Sequence, residues 1–336
     1  MERYEKQLIY SEIGIEGQKI LLNKKAIIIG CGALGTVIAN NLVRSGVGYI
    51  RIIDRDYVEI SNLQRQILFD EEDIRKNLPK AVAAEQKLKK INSSIKIESL
   101  IADVNSRNVE DLCKDMDIIL DATDNFQTRY LINDVAIKLN IPWVYGGVIG
   151  TSGMVHTVIP HETPCLKCIF PEIPAIGASE TCDTVGVLNS ITSIIASIES
   201  MEAIKVLLGK NIAVIKDLLY IDIWNNESEM IHLSIDESCA ACSMKKYNFL
   251  NRISDEAVYL CGKNSVQINP LQNSVSVEGL LKKLNTLNIN YKQNAYFIKF
   301  NVEDVQITLF YDGRAIIKNV SDINRASSIY SKYIGN

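Results

Sequence analysis

Glycines at positions 30, 32 and 35 follow the apolar run Ala26-Ile27-Ile28-Ile29 with the spacing Gly-x-Gly-x-x-Gly. Side chains there would hold the backbone away from a phosphate. A helix starting at the turn offers free N–H groups and a partial positive charge, so the turn is a candidate nucleotide site. Asp54, 19 residues after Gly35, stands where a strand-turn-helix-strand unit presents a carboxylate to ribose hydroxyls. Beyond it, Ser61-Asn62-Leu63-Gln64-Arg65-Gln66 concentrates polar groups just past a strand end. Arg65 and Lys80 are candidates to neutralise charge on phosphoryl oxygens, with a solvated helix face as the plain alternative for Lys80. Asp124, in the polar turn after Asp117 to Ala122, is placed to hold a metal-bridged phosphate, and helix capping is its alternative.

Eight cysteines form the second set. Cys165-x-x-Cys168 and Cys239-x-x-Cys242 have the spacing of a tetrahedral four-cysteine zinc site, closed and structural. The competing reading of the first pair as a redox dithiol lacks the helix that should follow it. Cys182 stands just before a long helical stretch whose N-terminus would favour a nucleophilic thiolate, while Asp183 opposes that shift. Cys31, Cys113 and Cys261 read as small buried residues. His156, His161 and His232 fall in strand or turn contexts and carry no chemistry on this reading.

These groups need a scaffold. The 336 residues suffice for one large α/β domain and a smaller second unit. A net charge of −4 argues against a nucleic-acid or membrane-surface binder. No N-terminal segment reads as a leader and no apolar run reaches the ~18 residues of a membrane span, so the expectation is a cytoplasmic protein with reduced thiols. Strands are expected at 26–29, 49–54, 95–100, within 117–125 and at 141–148, alternating with a helix opened by the glycine turn and helices at 80–91, 108–114 and 126–139. That alternation predicts a Rossmann-like, mostly parallel sheet covered on both faces. Strands at 153–159 and 218–224 form an antiparallel extension. Residues 1–25 read as two short helices broken near Gly14 and Gly17, 170–185 as a crossing loop, and 187–208 as a long helix stopped by Gly209.

Taken together, RYEKQ, GIEGQ, GCGALG, DRDYVEISNLQRQ, LPKA, DATDN, the two cysteine pairs, TCDTVGVL and ESMEAIKVLLG resemble the ThiF and MoeB type of adenylyltransferase, over residues 3 to 242. These relatives of the ubiquitin-activating enzymes activate ubiquitin-like sulfur carriers for thiamine or molybdopterin synthesis. The resemblance implies ATP and Mg²⁺ as cofactors beside zinc, and a carrier ending in Gly-Gly as substrate. It implies that Gly32 and Ala33 contact ATP, Asp54 holds its ribose, and Asn62, Arg65 and Lys80 bind its phosphates, with Gln64 and Asn125 in the same site. Asp124 would engage Mg²⁺ near the carrier's terminal carboxylate, and Cys182 matches a loop cysteine that in some members is linked to the carrier or handles sulfur. A homodimer is implied in which the N-terminal segment reaches across, Lys6 standing for the usual arginine without its planar fork. A sulfur donor such as a cysteine desulfurase is a further implied partner. The TCDTVGVL wording leans towards thiamine.

The adenylyltransferase domain is assigned to residues 1–243. Residues 247–336 read as a small α+β domain with the pattern β-α-β-β-β-α and a hairpin turn at Asp312-Gly313. It is a carrier-docking or dimerising module, or a scaffold. Two other classes compete for the whole chain, an NAD-dependent oxidoreductase using the same glycine turn and a nucleotide-binding protein without turnover. Adenylation of a peptide or a tRNA-modification substrate is the alternative within the family.

Overall fold

Three consecutive isoleucines make β1 (Lys25–Ile29) a strand that buries both its faces. The computed structural model describes residues 1–173, 182–252, 257–260, 264–270 and 275–335, and of 182, 183, 259 and 260 the backbone alone. With β2 (Tyr49–Asp54), β3 (Lys96–Ile101), β4 (Ile118–Asp121) and β5 (Trp143–Ile149), β1 forms a parallel sheet in the order 3-2-1-4-5. Ile28 lies opposite Ile52 on one side and Leu120 on the other. The chain leaves β1 towards β2 and leaves β4 towards β5, so the carboxyl ends of β1 and β4 border a topological switch point. Open α/β sheets bind their ligands in that crevice.

The sheet continues antiparallel through β6 (Ser152–Val158), β7 (Leu218–Asp222) and β8 (Glu227–Ile231). Helices Ala33–Ser45, Lys80–Ile91 and Asn189–Leu207 pack together, and Val109–Cys113 packs with Phe126–Leu139. The expected Rossmann-like sheet with an antiparallel extension is borne out. Three details differ from the sequence reading. The helix Gly14–Leu22 runs through Gly17, whose missing side chain lets Leu208 approach: a Cβ there would lie 3.2 Å from Leu208 Cδ2. The edge strand β8 went unread because all five of its residues are exposed and show no burial alternation. A one-turn helix, Leu166–Ile169, does follow Cys165. Of the expected crossing loop 170–185, residues 174–181 lie outside the described residues and Cys182–Val185 form a short helix; Cys261 also lies outside the described residues.

The chain divides into two compact units, Met1–Arg252 and Ile253–Asn336. Residues 247–250, which the sequence reading gave to the second, hold to the first: the Phe249 ring stacks on Tyr130 at 4.9 Å and its N–H donates to Asp134 Oδ2 at 2.8 Å. The second unit is a six-stranded antiparallel sheet in which β9 (Ala257–Leu260) pairs β10 (Ser265–Ile268). β11 (Tyr291–Gln293), β12 (Phe297–Val302), β13 (Val305–Phe310) and β14 (Ala315–Lys318) complete it, β14 pairing β10. Helices Val277–Thr286 and Ile323–Tyr333, capped by Ser276 and Asp322, bury Leu280, Leu284 and Ile329 against it. β10 and β11, four and three residues long, were too short for periodicity to register. No described helix is long and apolar enough to cross a membrane.

Candidate active site

The helix Ala33–Ser45 opens at Gly32, directly beyond β1. The three glycines of the turn have different reasons to be there. Gly30 has φ +98°, and a Cβ on it would sit 2.4 Å from the Ala122 carbonyl oxygen. A Cβ on Gly35 would sit 2.2 Å from the Gly30 carbonyl oxygen. Both are therefore excluded by the protein's own backbone. Gly32 meets nothing nearer than Gln66 Nε2 at 3.8 Å, so at the helix start there is open room for a phosphate. Gln66 is 3% exposed and its Oε1 has no hydrogen-bond partner among the described residues, a buried acceptor beside the turn. Sequence reasoning quoted Gln66 within its motif and gave it no role.

Asp54 closes β2 at the same crevice. Its Oδ2 accepts from the Cys31 N–H and its Oδ1 from the Asp56 N–H, both at 2.7 Å. The carboxylate thus ties the glycine turn to the β2 end with one hydrogen bond on each oxygen, and each oxygen retains acceptor capacity. Lys80, expected either here or on a solvated face, is 6% exposed with Nζ 3.4 Å from Asp56 Oδ2. Burial alone would lower its pKa, but Asp56, Asp54 and Asp124 outweigh that and raise it. Lys80 is therefore a fixed cation among carboxylates. Arg55 joins the same field, its Nη1 2.8 Å from Asp103 Oδ1. Asp56 escaped the sequence reading, although it stands two residues after Asp54.

Asp124 is exposed, and its charge acts on Lys80, Arg55 and Arg129. The capping alternative goes to its neighbour, since Asn125 Oδ1 accepts from the Thr128 N–H at 2.9 Å. Asn62 is buried, with Oδ1 taking the Glu59 N–H at 3.0 Å, and Gln64 is exposed. Arg65 turns back on its own segment, Nη1 donating to the Ser61 carbonyl at 2.9 Å. Lys6 is exposed in a surface recess of about 410 Å³ that it shares with Arg3 and Arg44. Arg44 lies in the last turn of the helix that the glycine turn opens, so one wall of this recess stands at the opposite end of that helix from the turn.

The long helix begins at Asn189, and Cys182 opens a separate four-residue helix, Cys182–Val185. The field of the long helix starts seven residues too late to act on Cys182 as the sequence reading expected. The Cys182 side chain lies outside the described residues. Cys31 and Cys113 are wholly buried, and burial raises both thiols. His156 is buried with Nε2 2.8 Å from the Pro164 carbonyl oxygen, and His232 is exposed beside Asp217.

Far along the chain, the two cysteine pairs meet. Sγ separations are 3.8 Å for Cys165–Cys168, 3.6 Å for Cys165–Cys239 and 3.5 Å for Cys168–Cys242, and all four sulfurs lie within 4.8 Å of one another. A tetrahedral zinc with Zn–S near 2.3 Å requires sulfurs about 3.8 Å apart, which these residues fit; disulfides would need about 2 Å. Contacts with Cys165 and Cys168 lower the Cys242 thiol, and the same contacts raise Cys165, as expected of thiols crowded into one cluster.

Behind the switch point lies a group the sequence reading missed. Glu199, on Asn189–Leu207, is wholly buried, neither carboxylate oxygen has a hydrogen-bond partner among the described residues, and a Cβ on Gly146 would sit 1.9 Å from Oε1. Burial, then the Asp121 charge, raises its pKa well above 4.5, with Arg129 pulling the other way. The folded chain holds the proton where the unfolded chain has lost it, so stability falls as pH rises above 4.5 towards the folded pKa. The slope reaches ~1.4 kcal/mol per pH unit. Glu199→Gln is expected to lack this slope: its urea midpoint changes less between pH 5 and 7.5 than that of the parent. Parallel pH dependences would show instead that Glu199 ionises in the fold.

The sequence profile of the ThiF family matches residues 4–242. The sulfur carrier protein ThiS adenylyltransferase of Bacillus subtilis is 42% identical over 337 residues, 99% of each chain. A sulfur carrier protein adenylyltransferase of Thermus thermophilus is 34% identical, covering 72% of this chain and 90% of its own. The crystal structure of Escherichia coli MccB with ATP superposes with a TM-score of 0.62 at 22% identity, over 71% of this chain and 74% of that one, a likeness of fold. With its cysteine pairs, DATDN turn and glycine elbow all inside the matched span, the chain belongs to the ThiF family.

Proposed function

We propose that the protein is an adenylyltransferase that uses ATP to activate the C-terminal carboxylate of a small ubiquitin-like sulfur carrier, releasing pyrophosphate. The observation that carries this is the buried Lys80 cation, held by Asp56 beside a glycine-opened helix start at the switch point. The 42% identity to the Bacillus ThiS adenylyltransferase along the whole chain supports a ThiS-type carrier and the thiamine branch.

A Gly-Gly carboxylate is ionised at neutral pH and attacks the α-phosphorus without a general base. The new C–O–P bond forms as the α–β P–O bond breaks, and the leaving electron pair stays on pyrophosphate. Lys80 stabilises that charge, helped by Arg65 once it turns from the Ser61 carbonyl; Asp54 takes the ribose and the N–H groups around Gly32 and Ala33 face the phosphates. Asn62, Gln64 and Asn125 frame this pocket. Mg²⁺, when bound, offsets phosphate charge, and Asp124 is the carboxylate to hold it. The four cysteines hold zinc as a structural clamp. Lys6, in a recess at the opposite end of the helix from its own glycine turn, serves the site of a second copy in a homodimer, and a reducing, cytoplasmic setting suits the free thiols. A cysteine desulfurase is a fitting sulfur donor, with Cys182 the group to receive the carrier or its sulfur.

The test is to mix the protein with Gly-Gly carriers, ATP and Mg²⁺ and look for an AMP adduct on the carrier by intact mass. An adduct on a peptide alone, or on nothing, overturns the assignment. Asp124→Asn is expected to lower adduct formation on the order of 10²-fold while magnesium-free ATP binding, by calorimetry, stays close to that of the parent. Equal loss in both assays would remove Asp124 from the metal role.

A further inference from the structure

Asp124 makes no hydrogen bond among the described residues, so its aim is set by the backbone on which it stands. That backbone is the turn between β4 and the helix Phe126–Leu139, and one buried side chain closes it from beneath. Arg129, 8% exposed, donates from Nε to Asp121 Oδ2 at 3.2 Å and from Nη2 to the Thr123 carbonyl at 2.8 Å and the Gly146 carbonyl at 3.2 Å. Its guanidinium lies over the rings of Tyr145 and Phe126, 5.2 and 5.5 Å from their centroids. Asp121, wholly buried at the end of β4, also accepts from the Thr123 N–H at 2.9 Å and the Thr123 hydroxyl at 2.7 Å.

We infer that Arg129 is a positioning residue for the adenylylation site: it fixes the Thr123 carbonyl to β4 and β5, and through it aims the Asp124 carboxylate. The inference rests on the adenylyltransferase reading for its substrate, though not for its geometry. Only a planar fork with several donors can span acceptors on β4, the turn and β5 at once. A lysine at 129 would keep the charge beside Asp121 and reach one acceptor of the three. The rigid base matters because a carboxylate displaced by about 1 Å from its productive place can cost on the order of 10²-fold in rate.

Two variants test this. Arg129→Lys keeps the buried charge balanced. The double variant Asp121→Asn/Arg129→Met removes both charges, so neither is left buried alone. Each is assayed in full-length protein for the Mg²⁺ dependence of ATP binding by calorimetry, for carrier adenylation, and for melting temperature. In Arg129→Lys the expected result is kcat lower on the order of 10-fold, KM for ATP and carrier within about 2-fold, and a half-saturating Mg²⁺ concentration raised severalfold. Excess Mg²⁺ restores part of the rate, and the melting temperature stays near that of the parent. The double variant is expected to show the same raised Mg²⁺ requirement. Wild-type Mg²⁺ dependence in a folded Arg129→Lys protein overturns the assignment, as does a loss that tracks melting temperature and leaves Mg²⁺ dependence unchanged. A parent that binds ATP with an Arg129-dependent Mg²⁺ response but adenylates no carrier overturns the substrate reading and upholds Arg129. A parent that binds no ATP with Mg²⁺ overturns both.

Discussion

Lys80→Ala is expected to lower carrier-adenylate formation on the order of 10³-fold, the scale seen when a charge facing a transferring phosphoryl group is removed. The buried ammonium sits within an arc of carboxylates, and its raised pKa keeps it protonated at every pH at which the enzyme would be assayed. Without it, Asp54, Asp56 and Asp124 present uncompensated negative charge to ATP. Binding then weakens along with the chemical step, so KM for ATP rises as kcat falls. ATP–pyrophosphate exchange in the presence of carrier reads both. Between pH 6 and 9 the parent's rate should show no limb from Lys80, because its folded pKa lies above 10.5. An alanine variant that keeps a tenth or more of the parent rate would take Lys80 out of the phosphate site.

The second large effect concerns zinc. Cys239→Ser is expected to drop the metal content from one zinc per chain to none and to destabilise the first unit by several kcal/mol, about 5, against about 10–16 for peptides that fold only with zinc. The figure is set lower here because the cysteines sit in a larger apolar core with contacts of its own. Cys165 and Cys239 are buried in the cluster that holds Trp143, Leu166 and Leu250, and the surrounding chain is tied to Phe126–Leu139 at two further points. Asn133 Oδ1 accepts from the Leu166 N–H at 2.8 Å. The Asp134 carboxyl, pushed up to about 6 by burial, takes the Phe249 N–H. Metal analysis of purified protein and thermal melts with and without a chelator provide the check. Parent protein free of zinc that melts no earlier than a zinc-loaded sample would leave the cluster with no metal role.

Much of the fold was legible because its signals are local. Three isoleucines before a glycine turn, and DATDN after a second apolar run, announce strands and the turns that end them. Neither cysteine pair's partner is local, yet the spacing within each pair was enough to propose four ligands, and the folded chain brings their sulfurs together. Burial was not legible. Lys80 and Glu199 both occur on helices, and only tertiary packing makes one a buried cation among carboxylates and the other a buried carboxyl whose ionisation is opposed. Arg129 was passed over because its acceptors include two backbone carbonyls, which leave no mark in sequence. Cys182 was assigned to the long helix, but it opens a short helix of its own, Cys182–Val185, which Gly186 at φ +85° separates from the long helix that starts at Asn189, two residues later than expected.

The outer two glycines of the elbow would be demanded of any chain that turned this sharply from strand to helix, whether or not it ever met a nucleotide. Their side-chain directions are filled by the protein's own carbonyl oxygens, while the middle one faces vacant space. A scan for Gly-x-Gly-x-x-Gly therefore sorts proteins largely by how closely they stitch these two elements, and position 32 is where architecture and ligand binding can be told apart.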